Sequence, residues 1–181
     1  FFSLSNLVVL GLDDNLLEST IDKFARFTKM QKLYIEDNLI SGEITAAMVS
    51  QWTSMVDLDV SVNRLTGPLP SNLFTTMLAL EVIDLHGNDF IGNIPEIGEY
   101  HEALAFFAVQ DNSLVGNIPE SFANASELRH IDITANLFTL PFPSRMSEMT
   151  SLESLHTGIN GFTNHPVPDF LASMTNLKEI S

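Results

Sequence analysis

The sequence predicts a right-handed α/β solenoid, with a curved parallel β-sheet on its concave side and short 3-10 or α-helical segments on its convex side. Three observations predict it. Residues 80–96, LEVIDLHGNDFIGNIPE, return 24 residues later as LAFFAVQDNSLVGNIPE at 104–120. Within each copy apolar residues alternate with period two over a short run, the pattern of a strand with one buried face. Each run ends on an asparagine, followed in several copies by a glycine and a proline.

A fixed period of this length means an array of stacked units. Aligned on the asparagine, seven units appear, at Asn15, Asn38, Asn63, Asn88, Asn112, Asn136 and Asn160, spaced 23 to 25 residues apart. Eight residues before each stands Leu7, Met30, Met55, Leu80, Leu104, Leu128 or Leu152, and five before it Leu10, Leu33, Leu58, Ile83, Phe107, Ile131 or Leu155. Three before it comes Leu12, Ile35, Val60, Leu85, Val109 or Ile133, with Thr157 the exception. Each unit therefore reads L-x-x-L-x-L-x-x-N-x-L. One such strand cannot bury its apolar face alone, but stacked coils share a continuous core. The asparagine stands where the chain leaves the strand. Its amide can donate to one backbone carbonyl and accept from a backbone N–H, coil after coil, forming a structural ladder.

The remaining elements follow in chain order. Gly42, Gly67, Gly92 and Gly116 permit a backbone conformation that a side chain penalises. Pro70, Pro95, Pro119, Pro143 and Pro168 fix φ, stop the strand ladder and turn the chain toward the convex side. The segments after them, such as PESFANASEL, carry apolar residues three or four apart, which predicts a turn or two of 3-10 or α-helix. Trp52 falls on such a segment and reads as core. Residues 1–181 are thus one domain of about seven repeats. Both ends fall inside a repeat, so the array is expected to continue beyond them.

The full unit, L-x-x-L-x-L-x-x-N-x-L-x-G-x-I-P, resembles the plant-type class of leucine-rich repeats. That class is known from plant receptor-like kinases, receptor-like proteins and polygalacturonase-inhibiting proteins, and similar arrays occur in algae. The resemblance covers essentially the whole chain. It implies an extracellular or cell-surface recognition module. The pattern is not uniform: the first unit lacks G-x-I-P, the second has Gly42-Glu43-Ile44-Thr45, the sixth has Leu140 in the glycine position and the seventh Asn164. The paired-cysteine caps usual in plant receptor ectodomains are absent.

Composition narrows the partners. Net charge is −15, which disfavours nucleic acid and anionic membrane surfaces, since both reward Lys and Arg. No apolar run is long enough to span a bilayer. With no cysteine there is no disulfide framework and no thiolate metal site.

On strands whose leucines face inward, the intervening residues line the concave face in columns. Of 35 such positions eleven are acidic (Asp13, Asp14, Glu36, Asp37, Asp57, Asp59, Glu81, Asp84, Asp111, Asp132 and Glu153) and two are basic, Lys32 and Arg129. That face carries 2 − 11 = −9 of the total charge. It reads either as a field for a basic partner or as solvated surface at strand ends. The residues singled out for partner binding are Tyr34, Glu36, Asp57, Asp59, Asp84, His86, Phe106 and Asp132. Tyr34 and Phe106 are read as exposed aromatic anchors, and His86, His130 and His156 as outward-facing. A flat sheet rarely converges the six to eight oxygens calcium prefers, so no metal site is assigned. No catalytic motif appears, and no cofactor is expected. Asn124-Ala125-Ser126 is the one glycosylation sequon. The reading is a non-catalytic module that binds a protein or peptide, or a glycan, on its concave face. The alternative is a structural or adhesive spacer.

Overall fold

The computed structural model describes residues 4–99, 101–162, 166 and 168–181; Asn164, in the glycine position of the seventh unit, lies outside them. The predicted concave sheet is present as eight parallel strands in chain succession: Val9–Gly11, Lys32–Tyr34, Asp57–Asp59, Val82–Asp84, Phe106–Ala108, His130–Asp132, Ser154–His156 and Glu179–Ile180. Register follows the repeat, with Leu33 against Leu58, Leu58 against Ile83 and Ile83 against Phe107. Leu33, Leu58, Ile83, Phe107 and Ile131 are fully buried and belong to one continuous core. The fold is the leucine-rich repeat solenoid.

A second parallel sheet was not expected. It comprises Glu18–Thr20, Leu39–Glu43, Arg64–Pro68, Asp89–Gly92, Ser113–Gly116 and Leu137–Phe138. It forms from N-x-L-x-G-x, where residues two and four after the asparagine turn inward. Arg64–Pro68 shows this by burying Leu65 and Gly67 while exposing Arg64, Thr66 and Pro68. The inward glycine is required twice over. Gly116 has φ +82°, and a Cβ there would lie 2.7 Å from Asn93 Oδ1. Where Leu140 replaces that glycine in the sixth unit, the sheet ends after two paired residues, Leu137–Phe138.

The convex side carries short helices. Among the described residues these are the α-helical turns Ala46–Val49 and Leu73–Thr76, and 3-10 turns at Ile21–Phe24, Glu120–Asn124, Ser144–Glu148 and Asp169–Ser173. Pro119, Pro143 and Pro168 precede the last three with φ of −63°, −53° and −64° and open these helical turns; the strands Ser113–Gly116 and Leu137–Phe138 end before Pro119 and Pro143 are reached. Trp52 is fully buried, and its indole N–H donates to the Phe24 carbonyl at 3.3 Å. No described helix is long and apolar enough to cross a membrane.

Candidate functional site: the concave sheet

The asparagines hold the corner between the two sheets. Asn88 Nδ2 donates to Leu85 and His86 carbonyls in its own coil and to Val60 in the preceding one. Its Oδ1 accepts the Leu65 N–H at 2.9 Å, at the start of the preceding coil's second-sheet strand. Asn38, Asn63, Asn112, Asn136 and Asn160 make the same set. Among the described residues the Asn15 side chain reaches Leu12 and Asp13, within its own coil.

The residue before each asparagine is left-handed. Asp14, Asp37, Val62, Asp111, Ala135 and Ile159 have φ between 47° and 53°, and Gly87 has φ 61°. Sequence reasoning treated these as ordinary outward positions. Asp14, Asp37 and Asp111 stand at sites that aspartate tolerates better than most side chains. Three further aspartates have a second local role. Oδ1 of Asp59, Asp84 and Asp132 accepts the backbone N–H of Ser61, His86 and Thr134 at 3.0, 3.1 and 2.9 Å. That N–H lies where the strand ladder ends, and an acceptor there meets its hydrogen-bonding need. Six of the eleven acidic side chains therefore have a backbone reason for their place. The pattern D-x-[S/H/T] two residues before the corner was the signal available in the sequence.

The structure brings the proposed binding residues together in neighbouring coils. Tyr34 and Asp59 are register partners, as are Asp59 and Asp84. Asp84 and Asp132 flank Ala108 on either side. Tyr34 is half-buried, and its hydroxyl donates to Asp57 Oδ2 at 2.5 Å; Lys32 Nζ lies 3.7 Å from the same oxygen. Phe106 is also half-buried and stacks on His130 with ring centroids 4.4 Å apart and planes 7° from parallel; His156 extends the row at 5.5 Å. Both aromatics were expected to be exposed, and each is half-buried with a neighbour. Rings and hydroxyls on adjacent strands lie close enough to satisfy one another.

Electrostatics follow from burial and pairing. Burial pushes the Asp59 carboxyl above its ordinary value, and the neighbouring Asp84 charge adds to that. Burial likewise raises Glu36, helped by Asp59, Asp13 and Asp14; Glu36 Oε2 is buried with no partner among the described residues. The hydrogen bond from His86 Nδ1 to Asp84 Oδ1, at 2.7 Å, raises the imidazole. Burial lowers His130. His156 bridges Ser154 and Ser181 through its two ring nitrogens. Among the described residues no three His, Asp or Glu side chains converge in a way that could hold a metal ion. Asn124 lies away from this face, half-buried at the end of the 3-10 turn Glu120–Asn124, with Oδ1 accepting from Arg145 Nη1 at 3.0 Å.

No family model matches the sequence. Receptor-like protein 32 of Arabidopsis thaliana is 31% identical over 164 residues, covering 90% of this chain and 18% of that protein. The chain spans 9% to 18% of the length of the receptor-like proteins it matches. Among solved structures, the plant peptide hormone receptor RGFR1 in complex with RGF2 superposes with a TM-score of 0.89 at 25% identity, over 97% of this chain and 28% of that one. A plant ice-binding protein superposes with a TM-score of 0.75 at 25% identity, over 88% of this chain and 51% of that one. Repeat motif, fold and relatives agree: the chain is a plant-type leucine-rich repeat array, resembling the ectodomain arrays of receptor-like proteins and leucine-rich repeat receptor kinases.

Proposed function

We propose that this array is a recognition module that binds an extended peptide or protein segment on its concave sheet, at the cell surface and without catalysis of its own. One observation carries the reading. Side chains on that sheet are held in place by their neighbours, across coils through Tyr34–Asp57 and Phe106–His130 and within one coil through His86–Asp84. A surface ordered before binding loses less conformational entropy when a ligand arrives. The negative charge of the face favours a basic ligand. Similarity to a peptide hormone receptor in complex with its hormone supports a peptide. Fold alone does not decide, because a similar array belongs to an ice-binding protein. The open sheet offers no water-excluding cleft for chemistry.

Selection from a random dodecapeptide display library tests this. The wild type is compared with a variant whose concave face is blocked by Gln110→Trp and Thr134→Trp, with folding checked by circular dichroism. Peptides retained by the wild type and lost by the blocked variant are expected. Equal retention by both would move binding off this face. Capture of no peptide, with none of a glycan array either, would leave the spacer reading in its place.

A further inference from the structure

Resting on the cell-surface part of that reading, we propose that Asn124 carries an N-linked glycan, set on the convex side so that the concave sheet stays open. The sequon Asn124-Ala125-Ser126 lies between the second-sheet strand Ser113–Gly116 and the concave strand His130–Asp132, at the end of the 3-10 turn Glu120–Asn124. Ala125 follows that turn with φ −82° and ψ 81°, and the Ser126 N–H donates back to the Asn124 carbonyl at 3.1 Å. This is an inverse γ-turn. Its middle residue, Ala125, belongs to the core, while Asn124 is half-buried and Ser126 exposed. The same turn recurs without an asparagine. Thr150 and Thr175 N–H groups donate to the Glu148 and Ser173 carbonyls at 2.8 and 3.0 Å, around buried Met149 and Met174. Glu148 and Ser173 are exposed, so the repeat turns this position outward whichever residue holds it.

The atom that must react is available. Arg145, on the next coil's turn, donates from Nη1 to Asn124 Oδ1 at 3.0 Å, while its Nε and Nη2 are held by Glu148 Oε2 at 3.0 and 2.8 Å. The guanidinium therefore fixes the oxygen side of the amide. Asn124 Nδ2 has no partner among the described residues and is not enclosed. The corner asparagines are engaged differently: Asn88 Nδ2 donates to three carbonyls. Glycan transfer joins Nδ2 to the anomeric carbon of a lipid-pyrophosphate-linked oligosaccharide. The bond from that carbon to the pyrophosphate oxygen breaks, the lipid pyrophosphate leaves, and Nδ2 gives up one proton. The product amide keeps Oδ1 as an acceptor, so the Arg145 bond survives attachment. The start of the turn is tied independently, because the Glu120 carboxylate accepts the Ser144 and Arg145 N–H groups at 2.7 and 3.0 Å. Nothing that holds this turn to the next coil uses Nδ2.

The chain is produced behind a secretion signal in a eukaryotic cell, and protein recovered from cells and medium together is weighed intact before and after peptide N-glycosidase treatment. A mass above that of the bare polypeptide is expected, lost on treatment with conversion of Asn124 to an aspartate. Asn124→Gln should abolish the added mass. So should Ser126→Ala, which leaves the Asn124–Arg145 bond in place and therefore keeps the fold. Treated and untreated protein should bind a wild-type-selected dodecapeptide equally. Bare polypeptide in both cells and medium would overturn the assignment, as would added mass that Asn124→Gln does not remove. Peptide binding that rises when the sugar is cut away would set the glycan over the concave sheet and overturn its placement. The added signal carries the chain into the secretory route whatever its native address, so absence of the sugar would leave the cell-surface and concave-face readings standing. Selection of no peptide would bring down the concave-face reading while the mass still reported the sugar.

Discussion

The two sheets run through the same coils and share the same core, yet their outer faces differ. On the concave sheet outward side chains are tied to one another: Tyr34 to Asp57, His86 to Asp84, and Phe106 to His130. On the second sheet several apolar side chains stand out into solvent, with Ile91 51% and Leu137 59% exposed. On the concave face these outward side chains are therefore already placed before any ligand arrives. Exposed aliphatic groups on a surface are ordinary; outward polar and aromatic side chains paired with one another are not explained by core packing. This contrast supports the proposal that recognition belongs to the concave side.

The corner asparagine joins the two sheets, so breaking it should have the largest effect. Asn88→Ala removes the acceptor for Leu65 N–H and the donor to Val60 in the neighbouring coil. Each group left unpaired in a buried corner costs about 1–3 kcal/mol. Asn15→Ala should cost distinctly less, because the Asn15 side chain is exposed and among the described residues bonds within its own coil. Denaturant midpoints compare them; equal losses would mean the asparagine acts within a coil and does not link neighbours.

Next in size is the strained residue at the same corner. Val62 has φ 47° with a β-branched side chain 42% exposed, and the left-handed region costs such a residue about 1–2 kcal/mol. Val62→Asn should raise stability by about 1 kcal/mol, read from thermal unfolding. No gain would show that burial of the valine side chain offsets the strain.

The convex side supplies a pH-dependent effect. His101 is fully buried against Phe74, with ring centroids 5.7 Å apart. Burial holds its pKa below the ordinary value. Above the unfolded-state pKa of about 6.5 both states are neutral and the packing contributes in full. As pH falls below that, the unfolded chain takes up a proton that the folded one resists, and stability drops toward the lowered folded pKa. His86 acts in the opposite sense: its raised pKa gives stability that is present below about 6.5 and lost as pH rises through the folded value. Wild type and His101→Phe, unfolded at pH 7 and pH 5, separate the two. The wild type should lose more on acidification than the variant; equal losses would acquit His101. The smallest effect belongs to the second sheet, where Ile91→Thr and Leu137→Thr should shift stability by less than about 0.5 kcal/mol and leave peptide binding unchanged. A loss of binding would give the second sheet a share in recognition.

Much of this was legible in the sequence. The inward leucines, the concave strands and the corner asparagines follow from spacing, because period-two burial and side-chain amide chemistry act locally. The second sheet was not anticipated, although L-x-G-x-I also alternates; the positive φ expected of the glycine is present, but within a strand. Pairing on that side depends on the neighbouring coil, which one repeat does not reveal. The binding residues were legible as a face but not as contacts. That Asp59, Asp84 and Asp132 cap backbone N–H groups, or that Phe106 lies flat on His130, depends on side-chain direction across strands.

The central claim is that the concave carboxylates serve recognition in addition to local capping, and one kinetic comparison tests it most directly. Asp57, Asp59, Asp84 and Asp132 are changed together to Asn, which keeps a side-chain acceptor at each position. Association with a wild-type-selected dodecapeptide is then timed at low and high salt. Electrostatic steering should make the wild type faster at low salt, by about tenfold, with the advantage shrinking as salt rises. The variant should be slow at both salts. Identical rates for the two proteins at both salts would contradict the account and leave these aspartates as caps on a solvated surface.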